Sequence, residues 1–373
     1  MTTPEIPWYQ IDDVRDLDSP ALVVYPDRVL QNIRTAKWMV HDVSALRPHV
    51  KTHKSAEATR LLLTEEITKF KCATIAEAEM LAQCGAPDVF LAYQPVGPKT
   101  IRLRELQRAY TSTRFSCMVD NEDAARAIAL AFEGSPGPME VFIDINVGMN
   151  RTGILPGEAA ADLYLACASM PGIRPRGLHA YDGHINDADP ALRNARSAAA
   201  FAPVRALHQE LITRGTGRPV LVAGGSPTFP FYATQRDVES SPGTFIYWDR
   251  SYHEGLPDIP FVPAALVITR IISRPTPDTL CLDLGHKSVA AEKDILHRVH
   301  FLNAPAVVAV SQSEEHLIVR PEDPHAHAIG DVWYGQPYHI CPTCALYERA
   351  TTVEGHRRTG EWRMTARDRS IGK

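Results

Sequence analysis

The chain has 373 residues, 45% of them hydrophobic. That exceeds what one hydrophobic core usually supports, so a large domain with a smaller companion is expected. Lysine plus arginine number 39 and aspartate plus glutamate 44, a formal net charge of −5 with no long block of one sign; this argues against nucleic-acid and membrane-surface roles and towards a small-molecule partner. No apolar run approaches the roughly 18 residues of a spanning helix. Met1-Thr2-Thr3-Pro4-Glu5-Ile6 shows neither the basic nor the apolar region of a secretion signal, so a cytoplasmic protein is expected.

From about residue 20 to 250, short β-branched or apolar runs alternate with longer helical patterns, the signature of parallel strands joined by crossover helices. The expected strands are 21–25, 46–50, 71–74, 89–93, 115–119, 141–145, 177–181 and 219–223. Eight such units predict a (β/α)8 barrel over residues 20–255. Past about residue 255 the texture changes to short strands with proline-rich connections, such as 265–269, 279–283, 307–310 and 316–319, which predicts a β domain. A polar tail follows Thr359. The cysteines are dispersed and odd in number, which fits reduced thiols; Cys72, Cys84, Cys117, Cys167 and Cys281 are expected to be mostly buried.

Residues of unusual chemistry gather where barrel strands end, the face on which such architectures carry out reactions. In Leu46-Arg47-Pro48-His49-Val50-Lys51-Thr52-His53-Lys54, Lys51 reads as an amine delivered to the mouth to hold an aldehyde cofactor. A nucleophilic lysine must lose its proton, and Arg47 and Lys54 are candidate cations to favour that loss. The competing reading is a solvated basic loop. Asp144-Ile145-Asn146-Val147-Gly148-Met149-Asn150-Arg151-Thr152-Gly153 combines turn glycines with Arg151, a donor for a phenolate or an anion. His179-Ala180-Tyr181-Asp182-Gly183-His184 offers His179 and His184 for proton transfer and Tyr181 for stacking.

Two loops of small residues, one holding Gly224, Gly225 and Ser226 and the other Gly243 and Thr244, are spaced to cradle a phosphate, although each alone also reads as a plain turn. In His339-Ile340-Cys341-Pro342-Thr343-Cys344, His339 and Cys341 alternate by one residue. On an extended strand that spacing places both on one face, able to grip one metal ion. Cys341 and Cys344 also form a C-x-x-C, open to redox or structural-zinc readings. No second cysteine pair exists to complete a structural zinc site, so a catalytic ion fits better and Cys344 is expected to pack.

With these segments in order, the chain resembles the D-threonine aldolase and D-serine dehydratase-like family, pyridoxal-phosphate enzymes with the alanine racemase-type barrel. The resemblance rests on Asp18-Ser19-Pro20-Ala21-Leu22-Val23, Arg47-Pro48-His49-Val50-Lys51, Gly148-Met149-Asn150-Arg151-Thr152-Gly153, Gly224-Gly225-Ser226 with Gly243-Thr244, Asp283-Leu284-Gly285-His286-Lys287-Ser288, and His339-x-Cys341-Pro342-Thr343. It implies that Lys51 bonds pyridoxal 5'-phosphate, that Arg151 meets the phenolic oxygen, that Tyr181 lies beside the ring, and that His339 and Cys341 hold a divalent ion. A thiolate ligand favours zinc over manganese or magnesium.

The resemblance also implies that residues 1–19 join residues 256–373 in the β domain, and that the protein is a homodimer. The expected activity is retro-aldol cleavage of D-threonine-like 3-hydroxy amino acids to glycine and an aldehyde. The alternative is dehydration of D-serine or D-3-hydroxyaspartate to a 2-oxo acid and ammonia. One departure bears on this choice: the family's aldolases tend to place an aspartate where Cys341 stands, and a cysteine there is more typical of the dehydratases.

Overall fold

The β-branched run Ala21–Val24 forms strand β1, and the alternating pattern after it yields β2 (Lys69–Cys72), β3 (Asp88–Leu91), β4 (Arg114–Val119), β5 (Met139–Ile145), β6 (Ile173–Ala180), β7 (Val220–Ala223) and β8 (Val238–Ser240). β2 to β8 make one parallel sheet whose order is the chain order, with a helix between each consecutive pair. The computed structural model describes residues 6–370 and residue 372. Residues 1–5, 371 and 373, which fall in the segments expected to join the β domain, lie outside the described residues.

Segment 46–50 links the two edges of this sheet. Arg47 N and His49 N donate to the carbonyls of Ser240 and Pro242 beside β8 (2.8 and 2.9 Å). On the other side, Val50 N donates to Lys71 O and Lys71 N returns to Pro48 O, both at 2.9 Å. Pro48 has no N–H to give, so these contacts are isolated parallel bridges and not a continuous ladder. Eight strand positions therefore close a ring, as the pattern predicts, but their membership differs. Val238–Ser240 is the eighth, and β1 is not in the ring. A three-residue strand with Glu239 at its centre leaves no apolar run to detect. An apolar run such as β1 signals burial without naming the sheet that buries it.

Alternate strand residues fill the ring in layers. At one level Arg47 Nε meets Glu239 Oε2 (2.6 Å), Arg47 Nη1 meets Asp88 Oδ1 (2.7 Å), and Arg176 bridges Asp88 and Glu140. Arg47 thus belongs to a buried ionic layer and does not serve Lys51 as the sequence suggested. Above it Phe90, Met118, Phe142 and Val222 form an apolar layer, the rings of Phe90 and Phe142 lying 4.4 Å apart. Phe90 then touches His179 edge-on at 5.4 Å, which begins the layer at the mouth.

The remaining strands are β9 (Ala265–Thr276), β10 (Thr279–Leu282), β11 (Val299–Phe301), β12 (Val308–Gln312), β13 (Leu317–Arg320), β14 (Val332–Pro337), β15 (Arg349–Glu354) and β16 (Arg357–Arg363). With β1 they form a second sheet, in which β1 runs antiparallel to β9 (Val23 opposite Leu266) and parallel to β15 (Val23 opposite Thr351). Its core packs Ile11, Leu17, Val23, Tyr25, Leu266, Ile268, Tyr334 and Val353. The segment after Thr359 is not a free tail: β16 pairs along β15, and Trp362 and Met364 are buried.

Contacts divide the chain into two compact units. One comprises the chain up to Ile33, Thr52–Ala58 and Ile246–Met364; the other comprises Arg34–Lys51, Thr59–Phe245 and the chain from Thr365 onward. Of the cysteines expected to be buried, Cys72, Cys117, Cys167 and Cys281 are; Cys84 is half-buried. No described helix is long and apolar enough to cross a membrane.

Candidate active site

Lys51 ends the segment that closes the ring, and Tyr181 directly follows β6. The Lys51 Nζ lies 5.6 Å from the centre of the Tyr181 ring, Lys71 Nζ lies at the same distance, and the Arg151 guanidinium carbon is 5.1 Å away. Three cationic side chains thus surround one aromatic ring, within reach of its electron-rich faces. Space for the ring comes from glycines: a Cβ at Gly183 would fall 2.3 Å from the Tyr181 hydroxyl, and one at Gly225 would fall 3.1 Å from Cε2.

His179 is buried beneath this group. Its Nδ1 is 2.8 Å from Asp144 Oδ1, and its Nε2 is 3.2 Å from Lys71 Nζ. Asp144 also accepts from Thr152 Oγ1 (2.8 Å) and Gln94 Nε2 (3.1 Å). Burial opposes the Asp144 charge, but His179 and these donors hold its carboxyl below the usual range. An ionised Asp144 only accepts, so His179 carries its proton on Nδ1, and Nε2 accepts from Lys71. Burial, then the Lys71 charge, pushes the His179 imidazole down. Burial, then the Lys51 charge, pushes Lys71 down to about 7.

Lys71 and Asp144 carry roles that pattern reading missed. A lysine at an inward position of a buried strand is the one local signal of the first; Asp144 was visible only as the start of the loop that carries Arg151. Asp182 was likewise overlooked. It accepts from Thr228 Oγ1 (2.8 Å) and Tyr232 Oη (3.0 Å), and its burial raises its pKa. His184 stands apart from the relay, its ring lying under Gly148, where a Cβ would come within 3.0 Å of Nε2.

The two small-residue loops come together as expected. Ser226 Oγ accepts from the backbone N–H groups of Gly243 (3.1 Å) and Thr244 (2.9 Å), and Gly225 N donates to Thr228 Oγ1 (3.2 Å). Gly224 has φ +82°, and a Cβ there would sit 2.5 Å from the Tyr232 ring, so only glycine fits. Beside the loops, the buried hydroxyls of Ser240 and Ser241 have no hydrogen-bond partner among the described residues.

In the other unit, His339 precedes the helix Ile340–Leu346 as its N-cap residue, with extended backbone angles (φ −139°, ψ 98°). The pair is thus not on a strand as expected, yet His339 still hydrogen-bonds Cys341, because it stands outside the helix that Cys341 enters. Nδ1 of His339 also contacts Glu292, a partner that no local motif announced. Burial works against the His339 charge, but the Cys341 and Glu292 contacts raise it to about 9. The Cys341 sulfur lies 3.1 Å from Thr52 Oγ1. Cys344 is fully buried and its thiol is pushed well up by that burial, which removes the redox reading of the C-x-x-C. Among the described residues no three His, Cys, Asp or Glu side chains converge as a ready metal cage.

Residues 24–251 match the family model described as alanine racemase, N-terminal domain, and residues 264–353 match a putative serine dehydratase domain. Over 365 residues the chain is 27% identical to the D-threonine aldolase of Arthrobacter sp, covering 95% of this chain and 94% of that protein. Over 246 residues it is 28% identical to the D-threo-3-hydroxyaspartate dehydratase of Delftia sp. (strain HT23), covering 64% and 63%. The crystal structure of D-threonine aldolase from Filomicrobium marinum matches with a TM-score of 0.87 at 27% identity, over 95% of this chain and 96% of that one. A variant of D-threo-3-hydroxyaspartate dehydratase in the metal-free form shares the fold, with a TM-score of 0.81 at 22% identity over 94% and 98%. With its barrel and its C-terminal β segment both matched, the chain belongs to the alanine racemase N-terminal domain family, in its D-threonine aldolase and D-serine dehydratase-like branch.

Proposed function

We propose that this protein is a pyridoxal-phosphate- and metal-dependent lyase that cleaves D-3-hydroxy amino acids such as D-threonine to glycine and an aldehyde. The observation that carries it is Lys51 at the barrel mouth beside a Tyr181 ring flanked by two further cations. The residues fit the cofactor. Lys51 would bond its aldehyde carbon, Arg151 would face its phenolic oxygen, and Tyr181 would lie along its ring. Gly224, Gly225, Ser226, Gly243 and Thr244 would surround its phosphate, for which the unpartnered hydroxyls of Ser240 and Ser241 are available donors. When bound, the cofactor supplies an electron sink for charge released at the substrate's α-carbon.

The chain's own part is to hold and orient. His179, fixed by Asp144, supports proton transfer at the mouth. His339, its Nδ1 held by Glu292, and Cys341 would hold the divalent ion. A nitrogen and sulfur donor pair favours zinc over manganese and magnesium, and such an ion lowers the pKa of a substrate hydroxyl. The reading is completed by a homodimer, as the resemblance implies, at work in the cytoplasm.

A second reading, dehydration of D-serine or D-3-hydroxyaspartate, is favoured by one feature, the cysteine at position 341. Incubating the holoenzyme with D-threonine, D-phenylserine, D-serine and D-3-hydroxyaspartate separates the two. Glycine plus aldehyde is expected; a 2-oxo acid plus ammonia would replace the first reading with the second, and no product from any of them would remove both.

A further inference from the structure

We propose that Lys71 is a positioning residue of the barrel mouth: a second amine, aimed by the Asp144–His179 pair, whose charge sets the protonation state of the group that Lys51 holds. This rests on the cofactor assignment to Lys51. The starting point is an anomaly of pairing. Buried cations are ordinarily matched by carboxylates, and Arg47 in the same barrel meets two of them. Lys71 is as deeply buried, yet among the described residues it forms no ion pair with a carboxylate; its hydrogen bond goes to an imidazole, His179 Nε2. A lysine kept only for stability would not be left so.

The geometry gives the amine a direction. Asp144 fixes the His179 tautomer, so the Nε2 lone pair takes one Lys71 N–H, and the rest of the amine stands 5.6 Å from the centre of the Tyr181 ring, as far as Lys51 does. The charged groups around Lys71 come from each neighbouring element. The closing segment supplies Lys51 and Arg47, β5 supplies Asp144, the end of β6 and the residues after it supply His179 and Asp182, and the loop after β5 brings Arg151 over the same ring. β3 opposes Lys71 with Phe90, which carries no charge. Burial and the Lys51 charge outweigh the two carboxylates and push Lys71 down to about 7; bonding of Lys51 to an aldehyde would relieve part of that push and keep Lys71 a cation.

The test follows the visible absorption band of protein reconstituted with pyridoxal phosphate as pH is varied, for wild type, Lys71→Met, Lys71→Arg and Lys51→Ala. Wild type should change form as pH is raised, with a midpoint held down by the neighbouring Lys71 cation. Lys71→Met, which removes that cation, should raise the midpoint by about one pH unit or more, and Lys71→Arg, which keeps it charged at every pH, should leave the midpoint as low or move it lower. A midpoint that stays put in Lys71→Met, or that rises in Lys71→Arg, overturns the inference. If Lys71→Met does not fold, Lys71→Arg, which keeps the cation, decides alone. His179→Asn should shift the midpoint without abolishing it, and a midpoint that stays put overturns the aiming role of the pair. A band in wild type that is lost in Lys51→Ala secures the cofactor assignment independently; no band in wild type removes that assignment and this inference with it.

Discussion

Arg47 tests the layered reading of the barrel most directly, because sequence and structure assign it different work. The sequence offers it as a cation for Lys51; the structure buries it completely between Glu239 and Asp88 at 2.6 and 2.7 Å. Removing one partner of a buried ion pair leaves the other charge uncompensated, at a cost of about 3–5 kcal/mol. Here both carboxylates keep a second cation, Asp88 through Arg176 and Glu239 through Lys69, each at 2.5 Å. The lower end of the range therefore applies, and Arg47→Met is expected to lose about 3 kcal/mol. With an m-value of roughly 3 kcal/mol/M, that moves the urea midpoint down by about 1 M, read by tryptophan fluorescence. Asp88→Asn added to Arg47→Met should recover part of the loss, since it removes one stranded charge. The visible band of Arg47→Met reconstituted with pyridoxal phosphate should keep the wild-type position, with its pH midpoint moving only slightly, since Arg47 is the smallest of the charges acting on Lys71. An unchanged urea midpoint together with an altered band would refute the structural role and restore the sequence-level one.

Three other outcomes follow from the same geometry. Gly183→Ala puts a methyl group 2.3 Å from the Tyr181 hydroxyl, so the ring must move by about an ångström; kcat/KM should fall by about 100-fold with the circular dichroism spectrum preserved, and unchanged kinetics would show that the ring's position is immaterial. His53 is fully buried, with Nδ1 accepting from Ser55 N (3.1 Å) and Nε2 unpartnered among the described residues, and its burial pushes it down to about 3. Because its folded pKa is depressed, the unfolded chain takes up a proton that the fold refuses; the stability this contributes is complete above about 6.5 and is lost by about 1.4 kcal/mol per pH unit as pH falls towards 3. His53→Asn keeps an acceptor for Ser55 and should flatten the difference curve over that interval, whereas denaturation curves that run parallel at every pH would exclude the effect. Treatment with a chelator, or His339→Ala or Cys341→Ala, should abolish turnover while the visible band persists, and zinc should restore the chelated protein; turnover that survives the chelator would show that the ion has no part in the reaction.

How much of this was legible in the sequence depends on the range over which each feature is encoded. The eight-unit count could be read because barrel strands are buried on both faces and so appear as apolar runs. The membership could not, because β1 and β8 are sorted by pairing partners far away in the chain. Lys51, the two small-residue loops and the His339/Cys341 spacing are local motifs and were legible as such, while the helix that begins at Ile340 was not, because two residues of alternation do not separate a strand from a helix cap. The ionic layer escaped notice because its members are scattered: Arg47 and Glu239 are 192 residues apart.

Lys71 shows why chemical state is harder to read than position. Its identity is printed in the sequence, but its proton is governed by burial and by Lys51 across the ring closure, and its hydrogen bond reaches His179, 108 residues away. Lysine at an inward strand position is compatible with two arrangements, a charge neutralised by carboxylates as in the Arg47 layer and an amine held near its titration point, and only the register of β2 to β8 decides between them. The same barrel contains both, the paired ions in one layer and the unpaired amines in another. Separating them by the apolar layer of Phe90, Met118, Phe142 and Val222 keeps the carboxylates of the first from neutralising the amines of the second.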